Sequence, residues 1–188
     1  MTLTQKVLIL CAITVLLFMG AAAAVLTIFP LRYAAIIEEH AQINNLEPAF
    51  IAAVIHAESK FVSDAVSRAQ AQGLMQITPP TGEWLAELTG LEGFTNEQLF
   101  DVETNIKLGS FYLRRLLDQN NQDIRIALAS YNAGTGNVRS WLRNPQYSSD
   151  GKTLDYIPFG ETRTYIERVL FNQRVYAILY FFRSILRG

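Results

Sequence analysis

Few residues in this chain combine a reactive type with a suitable setting, and Glu58 is foremost among them. It extends a stripe of apolar residues, Phe50, Ile51, Val54 and Ile55, spaced as on one face of a helix, and it stands where that helix should end. A carboxyl group so placed is partly desolvated, and the helix C-terminus disfavours its negative charge. Both effects raise its pKa, as a general acid working near neutral pH requires. The pattern alone leaves open a plain alternative, an exposed glutamate at a helix end. His56 lies two residues away on the same helix, so its side chain points elsewhere, and a surface or satisfied core histidine is its expected role. Asp64, Glu83 and Glu87 are other acids near enough in sequence to assist, with Asp64 expected in a solvated loop.

Other chemistries find little support. Outside the apolar N-terminal run the soft metal ligands are His40 and His56 alone, too few for a zinc site, so no metal is expected. There is no His-Glu-x-x-His pair, no Gly-x-Ser-x-Gly elbow and no phosphate-binding loop. Gly134-Thr135-Gly136 opens like a dinucleotide fingerprint, but Arg139 follows where glycine is needed and no strand precedes it. No cofactor is expected.

The elements that must position these groups are helical. Tyr33 to Ile43 carries Ile36, Ile37, His40 and Ile43 as one stripe, and Pro48 opens the next helix at a first-turn position. Residues 63–72 read as loop. A helix starts at Pro79-Pro80, runs through Leu88 and stops at Gly90. Asp101 to Leu117 is the clearest amphipathic segment, with Ile106, Leu108, Phe111, Tyr112 and Leu116 as core candidates. A short apolar helix from Ile124 ends at Asn132-Ala133-Gly134, and a long one runs from Gly160 to Phe182. No pair of strand-like runs flanks a convincing hairpin turn. Within the last helix, Val175 to Phe182 is apolar but too short to cross a bilayer. Core burial is the expected reading of this stretch, and contact with a nearby membrane surface is the other.

The chain is 50% hydrophobic and 18% charged, and the apolar excess is concentrated at one end. Val7 to Phe29 has no charged residue and is long enough to cross the hydrocarbon layer. An uncleaved anchor is the expected reading over a cleaved signal peptide, because Val25 to Phe29 continues the apolar run past the small residues Ala21 to Ala24. Either way the remainder is expected on the far, extracytoplasmic or periplasmic side of a cell membrane, with residues 1–30 as anchor or signal and 31–188 as the exported domain. The lone Cys11 falls inside the apolar run, so the domain has no disulfide to draw on. All 17 acids and 15 of the 16 bases lie beyond Pro30, a balance that argues against nucleic acid as a partner.

Several residue blocks together resemble one family. Ala57-Glu58-Ser59-Lys60-Phe61 followed by Gly73-Leu74-Met75-Gln76-Ile77 is similar to the core of bacterial lytic transglycosylases with the soluble-transglycosylase (SLT) catalytic domain. Asn105-Ile106 with Gly109, Tyr112 and Leu113 resembles that family's central helix. Ser130-Tyr131-Asn132-Ala133-Gly134 and residues 157–165, Ile-Pro-Phe-Gly-Glu-Thr-Arg-Thr-Tyr, match two further blocks in the same order. Ser130 stands where alanine is frequent, and Thr81-Gly82 stands where a helix-favouring pair is usual. The resemblance covers roughly Arg32 to Tyr180 and implies a mainly α, lysozyme-like, two-lobed domain with at most a small β element.

The resemblance further implies that Glu58 is the catalytic acid/base, with Ser59 beside the cleaved sugar. Met75 and Gln76 would line the groove, Tyr131 and Asn132 would face them, and Glu161 and Tyr165 would close the site from the last helix. The implied substrate is the peptidoglycan glycan strand, cut between N-acetylmuramic acid and N-acetylglucosamine to leave a 1,6-anhydromuramyl end. Most glycosidases use two carboxylates. A nucleophile supplied by the substrate's own 6-hydroxyl needs no second carboxylate to orient it. A lysozyme-like hydrolase with a second acid, or a non-catalytic peptidoglycan-binding module, are the competing readings. A secretion or wall-remodelling partner is compatible with any of these and is not identified by the sequence.

Overall fold

In a computed structural model, residues 1–187 are described, and they fall into two compact units, Met1–Arg32 and the chain from Tyr33 onward. The first unit is one helix, α1 (Leu3–Ile28). Its N-terminus is closed by a capping box in which the Thr2 hydroxyl accepts from the Gln5 amide and the Gln5 side chain accepts from the Thr2 amide. None of its side chains is buried within the protein, and by length and composition the helix can cross a membrane. At 1.5 Å per residue it extends about 39 Å, more than the hydrocarbon thickness of about 30 Å. Its two inner polar side chains, Thr14 and Thr27, donate to the carbonyls of Leu10 and Ala23 one turn back. Neither hydroxyl is left without a partner, as an apolar medium demands.

The second unit is helical throughout, with no strand among the described residues and only two isolated bridges, Val66 with Gln72 and Gln72 with Ile77. Its helices are α2 (Ala34–Ile43), α3 (Pro48–Ser59), α4 (Pro79–Thr89), α5 (Val102–Gln119), α6 (Ile124–Ala133), α7 (Thr135–Leu142) and α8 (Gly160–Arg187). A 3₁₀ turn, Asn96–Phe100, precedes α5. The organising pair is α3 on α8, while α5 receives α2, α4 and α6.

Helix α3 is apolar nearly all round, because seven consecutive residues from Ala49 to Ile55 are buried. A helix with no polar face must be enclosed, and α3 is packed chiefly against α8, with α2 also against it. Helices α4 and α6 stop where glycine ends the pattern, with Gly90 left-handed at φ 66° and Gly134 at φ 87°. Asp101 and Asp123 cap α5 and α6, each side chain accepting from amides of the first turn.

Three expectations are corrected. Ile43 is turned out to solvent, and the buried face of α2 is Ala34, Ile37, His40 and Ala41, because the helix axis is rotated from the stripe chosen. Phe111 and Tyr112 are only half-buried on α5, whose innermost residues include Asn105, Gly109 and Leu113. The core reading of Val175 to Phe182 fails for Ile178, Phe181 and Phe182, which are all more than half exposed, while Tyr176 is buried. Helix α7 was not foreseen; its eight residues bury only Val138 and Trp141, too few to show a period. Gly82, one of the pair that stands where helix-favouring residues are usual, is buried where a Cβ would stand 3.1 Å from both Leu99 and Phe94. Glycine there lets the 3₁₀ turn pack close to α4.

Candidate active site

Glu58 occupies the last turn of α3, and the chain leaves that helix through two successive left-handed residues, Lys60 at φ 51° and Phe61 at φ 65°. Such backbone is unfavourable for both residue types, by roughly 1 kcal/mol or more each. Burial of the Phe61 ring offsets this cost; it packs beside His56 and Tyr176 with ring centroids 6.3 and 6.0 Å away. The turn redirects the chain without extending α3, so Glu58 stays at the end of the apolar rod.

Burial raises the Glu58 carboxyl from its ordinary range to about 7. The Tyr165 phenol and the Arg168 guanidinium pull the other way, and the nearby charge of Glu161 adds to the rise. These three side chains stand at i, i+4 and i+7 on α8, so one face of the last helix addresses Glu58. Burial also holds the Tyr131 and Tyr165 phenols neutral, and the Glu58 charge reinforces this for both. Tyr165 is buried, and its hydroxyl meets no protein atom at full hydrogen-bond geometry.

The segment that carries Met75 and Gln76 is held by Asn105. Its carbonyl accepts from the Met75 amide at 2.8 Å, and its amide donates to the carbonyls of Leu99 at 2.7 Å and Gln72 at 3.1 Å. Gly73 sits against this side chain at φ 76°, where a Cβ would collide with Leu99 and Asn105. The Tyr131 hydroxyl donates to the Met75 carbonyl at 2.7 Å, so one residue of this loop is fixed through both its amide and its carbonyl.

The residues expected to touch a ligand are therefore not equivalent. Glu58, Tyr131 and Tyr165 are brought together by burial and by mutual electrostatics. Asn132 is half-buried, accepts from the Thr162 hydroxyl at 2.8 Å, and borders a cavity that also includes Glu161 and residues 158–160. Met75 is fully buried with its side chain against Gly109, which places it in the wall behind the site rather than in its lining. The Ser59 hydroxyl is buried and donates back to the Ile55 carbonyl at 3.3 Å. The Gln76 amide donates to the Ala65 and Gly73 carbonyls, so it shapes the loop from inside.

Sequence reasoning gave no role to Asn105, Thr162 or Arg168. For Asn105 the signal was present: an amide on the apolar face of an amphipathic helix must find partners. His56 contacts the Tyr176 hydroxyl through Nδ1 at 3.2 Å and is held below the usual histidine range, first by burial and then by Lys60. Asp64, Glu83 and Glu87 are exposed. No group of three or more His, Cys, Asp or Glu suited to a metal ion occurs among the described residues.

Comparison with known proteins places this arrangement. A family model described as the transglycosylase SLT domain matches residues 35–154. The soluble lytic murein transglycosylase of Escherichia coli K12 is 34% identical over 144 residues, covering 76% of this chain and 22% of that protein. The membrane-bound lytic murein transglycosylase F of Desulfosudis oleivorans is 33% identical over 168 residues, covering 74% of this chain and 35% of that one. Among solved structures, an inactive mutant of lytic transglycosylase Slt from Pseudomonas aeruginosa superposes with a TM-score of 0.73 at 34% identity, over 81% of this chain and 25% of that chain. The chain thus spans only about a quarter to a third of the length of these relatives. From α2 to the 154 region the match is continuous, and it contains Glu58, the Asn105 clasp and Tyr131; the chain belongs to the transglycosylase SLT domain family.

Proposed function

We propose that this protein is a membrane-attached lytic transglycosylase that cleaves the β-1,4 bond between N-acetylmuramic acid and N-acetylglucosamine in peptidoglycan. The observation that carries this reading is the Glu58 carboxyl, raised to about 7 by burial at the end of α3. At neutral pH a substantial share of such groups is protonated and able to donate to a glycosidic oxygen. Once ionised, Glu58 accepts the proton of the muramyl 6-hydroxyl as that oxygen closes on the anomeric carbon. The same residue thus acts first as acid and then as base, with no water consumed and a 1,6-anhydromuramyl end formed.

Around it, the Tyr165 phenol and Arg168 stabilise the ionised form, which keeps its cost low during the second half of the cycle. Glu161 and Asn132 border the cavity beside the site and are proposed to contact the glycan. Ser59, Met75 and Gln76 hold the backbone that the sugar meets. Attachment through α1, with the catalytic unit on the periplasmic or extracytoplasmic face, agrees with the apolar character of that helix and with the membrane-bound relatives.

Digestion of purified peptidoglycan by the detergent-solubilised protein, with Glu58→Gln in parallel and mass spectrometry of the products, tests the proposal. Anhydromuramyl ends are expected from the native protein, and a loss of about 10²–10⁴-fold in the variant. Reducing ends would overturn the transglycosylase reading in favour of a hydrolase and direct the search for a second carboxylate to Glu161 and Asp64. Binding without any cleavage would favour a glycan-binding module.

A further inference from the structure

The C-terminal half of α8 carries a feature that the catalytic reading does not use. Ile178, Phe181, Phe182, Ile185 and Leu186 are all between 57% and 86% exposed. At 3.6 residues per turn, Ile178, Phe182 and Ile185 form one stripe, with Phe181 and Leu186 on its two flanks. The opposite side of the helix faces the protein, where Tyr176 is buried and Arg183 pairs with Glu38. Five large apolar side chains presented together on one face are more than the scattered exposure that a soluble surface tolerates.

Position and charge indicate what covers this face. Arg183 and Arg187 both bind the Glu38 carboxylate, at 2.8 and 2.7 Å, which ties the end of α8 to α2. Helix α2 is the first element after α1, and only residues 29–33 join them, a link that can reach no further than about 18 Å. The end of α8 is therefore tied to the element that follows α1 most closely along the chain. From Arg168 to Arg187 the chain has four arginines and no acidic residue; Arg174 is exposed beside the apolar stripe, and Arg183 and Arg187 share the single Glu38 carboxylate, leaving a net positive charge at this end of the helix. A helix with an apolar aromatic face and flanking cations is suited to the boundary between lipid headgroups and acyl chains, and anionic headgroups strengthen the attraction.

We propose that the exposed face of α8 formed by Ile178, Phe181, Phe182, Ile185 and Leu186 lies in the interface of an anionic lipid bilayer, as a second membrane contact beside α1. This rests on the reading of α1 as the membrane attachment. The contact fixes the height and orientation of the catalytic unit above the lipid instead of leaving it to swing on a five-residue tether.

The test uses the full chain with Cys11→Ser, reconstituted in vesicles of phosphatidylglycerol and phosphatidylcholine, with one nitroxide label at a time on Leu17→Cys, Ile178→Cys, Phe182→Cys or Lys152→Cys. Lys152 is an exposed loop residue and serves as the water reference. Relaxation by oxygen and by a water-soluble nickel complex reports depth. The labels at 178 and 182 are expected to show oxygen access several-fold above nickel access, with the preference lost to the Lys152 value on adding Phe181→Glu and Ile185→Glu together. Nickel access at 178 and 182 equal to that at 152 would overturn the proposal. Low access to both reagents would also overturn it, in favour of a second copy of the chain covering this face. The label at Leu17 separates the two readings: if it lies in the bilayer while 178 stays in water, the attachment stands and only the α8 contact fails.

Discussion

A glutamate ending a helix that is enclosed on all sides stays protonated where an exposed glutamate is already charged. Glu58 loses its proton near pH 7 in the folded protein and near 4.5 once unfolded. Between those values the native state binds more protons than the unfolded state, so the Glu58 contribution favours folding fully below about 4.5 and fades as pH rises through about 7. Glu58→Gln should therefore raise stability at pH 8 relative to the native protein, by about 1–3 kcal/mol, with little difference at pH 4. Paired denaturant titrations at the two pH values would show this, and an equal effect at both would contradict it. On the proposed mechanism, in which the acid form takes the first step, turnover should likewise decline as pH rises through about 7. Tyr165→Phe removes a phenol that favours ionised Glu58, so the basic limb of the pH–rate profile should move upward. Because that hydroxyl has no protein partner at full geometry, the fold should lose little, which thermal melting can verify.

At the scale of elements, the site is a clasp between α3, α5, α6 and α8, and Asn105 is its most exacting member. Asn105→Ala would leave the Met75 amide and the Leu99 and Gln72 carbonyls without their partner, a loss of about 2–4 kcal/mol. Activity per folded molecule should fall as well, since the loop that carries Met75 and Gln76 is released; circular dichroism melts and turnover at low temperature separate the two effects. Most of these elements were legible in the sequence because punctuation marks them: Pro48, Pro79 and Pro80 at starts, Gly90 and Gly134 at ends. Helix α7 was not, since it follows directly on Gly134 and has two buried side chains. Motif order picked out the site neighbourhood, but not the direction in which Ser59, Met75 and Gln76 point. Direction is set by the left-handed turns at Lys60, Phe61 and Gln76, and none of these residues advertises that backbone.

For the molecule as a whole, the division into an apolar helix and a helical domain has a direct consequence for extraction. The protein should remain with membranes in high salt and in alkaline carbonate and come off only with detergent, as immunoblots of washed membranes would reveal. Salt-labile attachment would mean that α1 is not inserted. The apolar run was plain in the sequence, and so was the dominance of helices. The open face of α8 was not, because the same run of residues suits a core and a lipid surface equally.

The pairing of α3 with α8 also sets an order of events during synthesis. Glu58 is made in the first third of the chain, while Glu161, Tyr165 and Arg168 arrive near its end. Until α8 has been made and has docked, α3 lacks the partner of its main contact and Glu58 lacks its neighbours Glu161, Tyr165 and Arg168. A partly made or partly exported chain thus has an incomplete set of groups around its glutamate. On the proposed function, the protein stays silent until its last helix is in place.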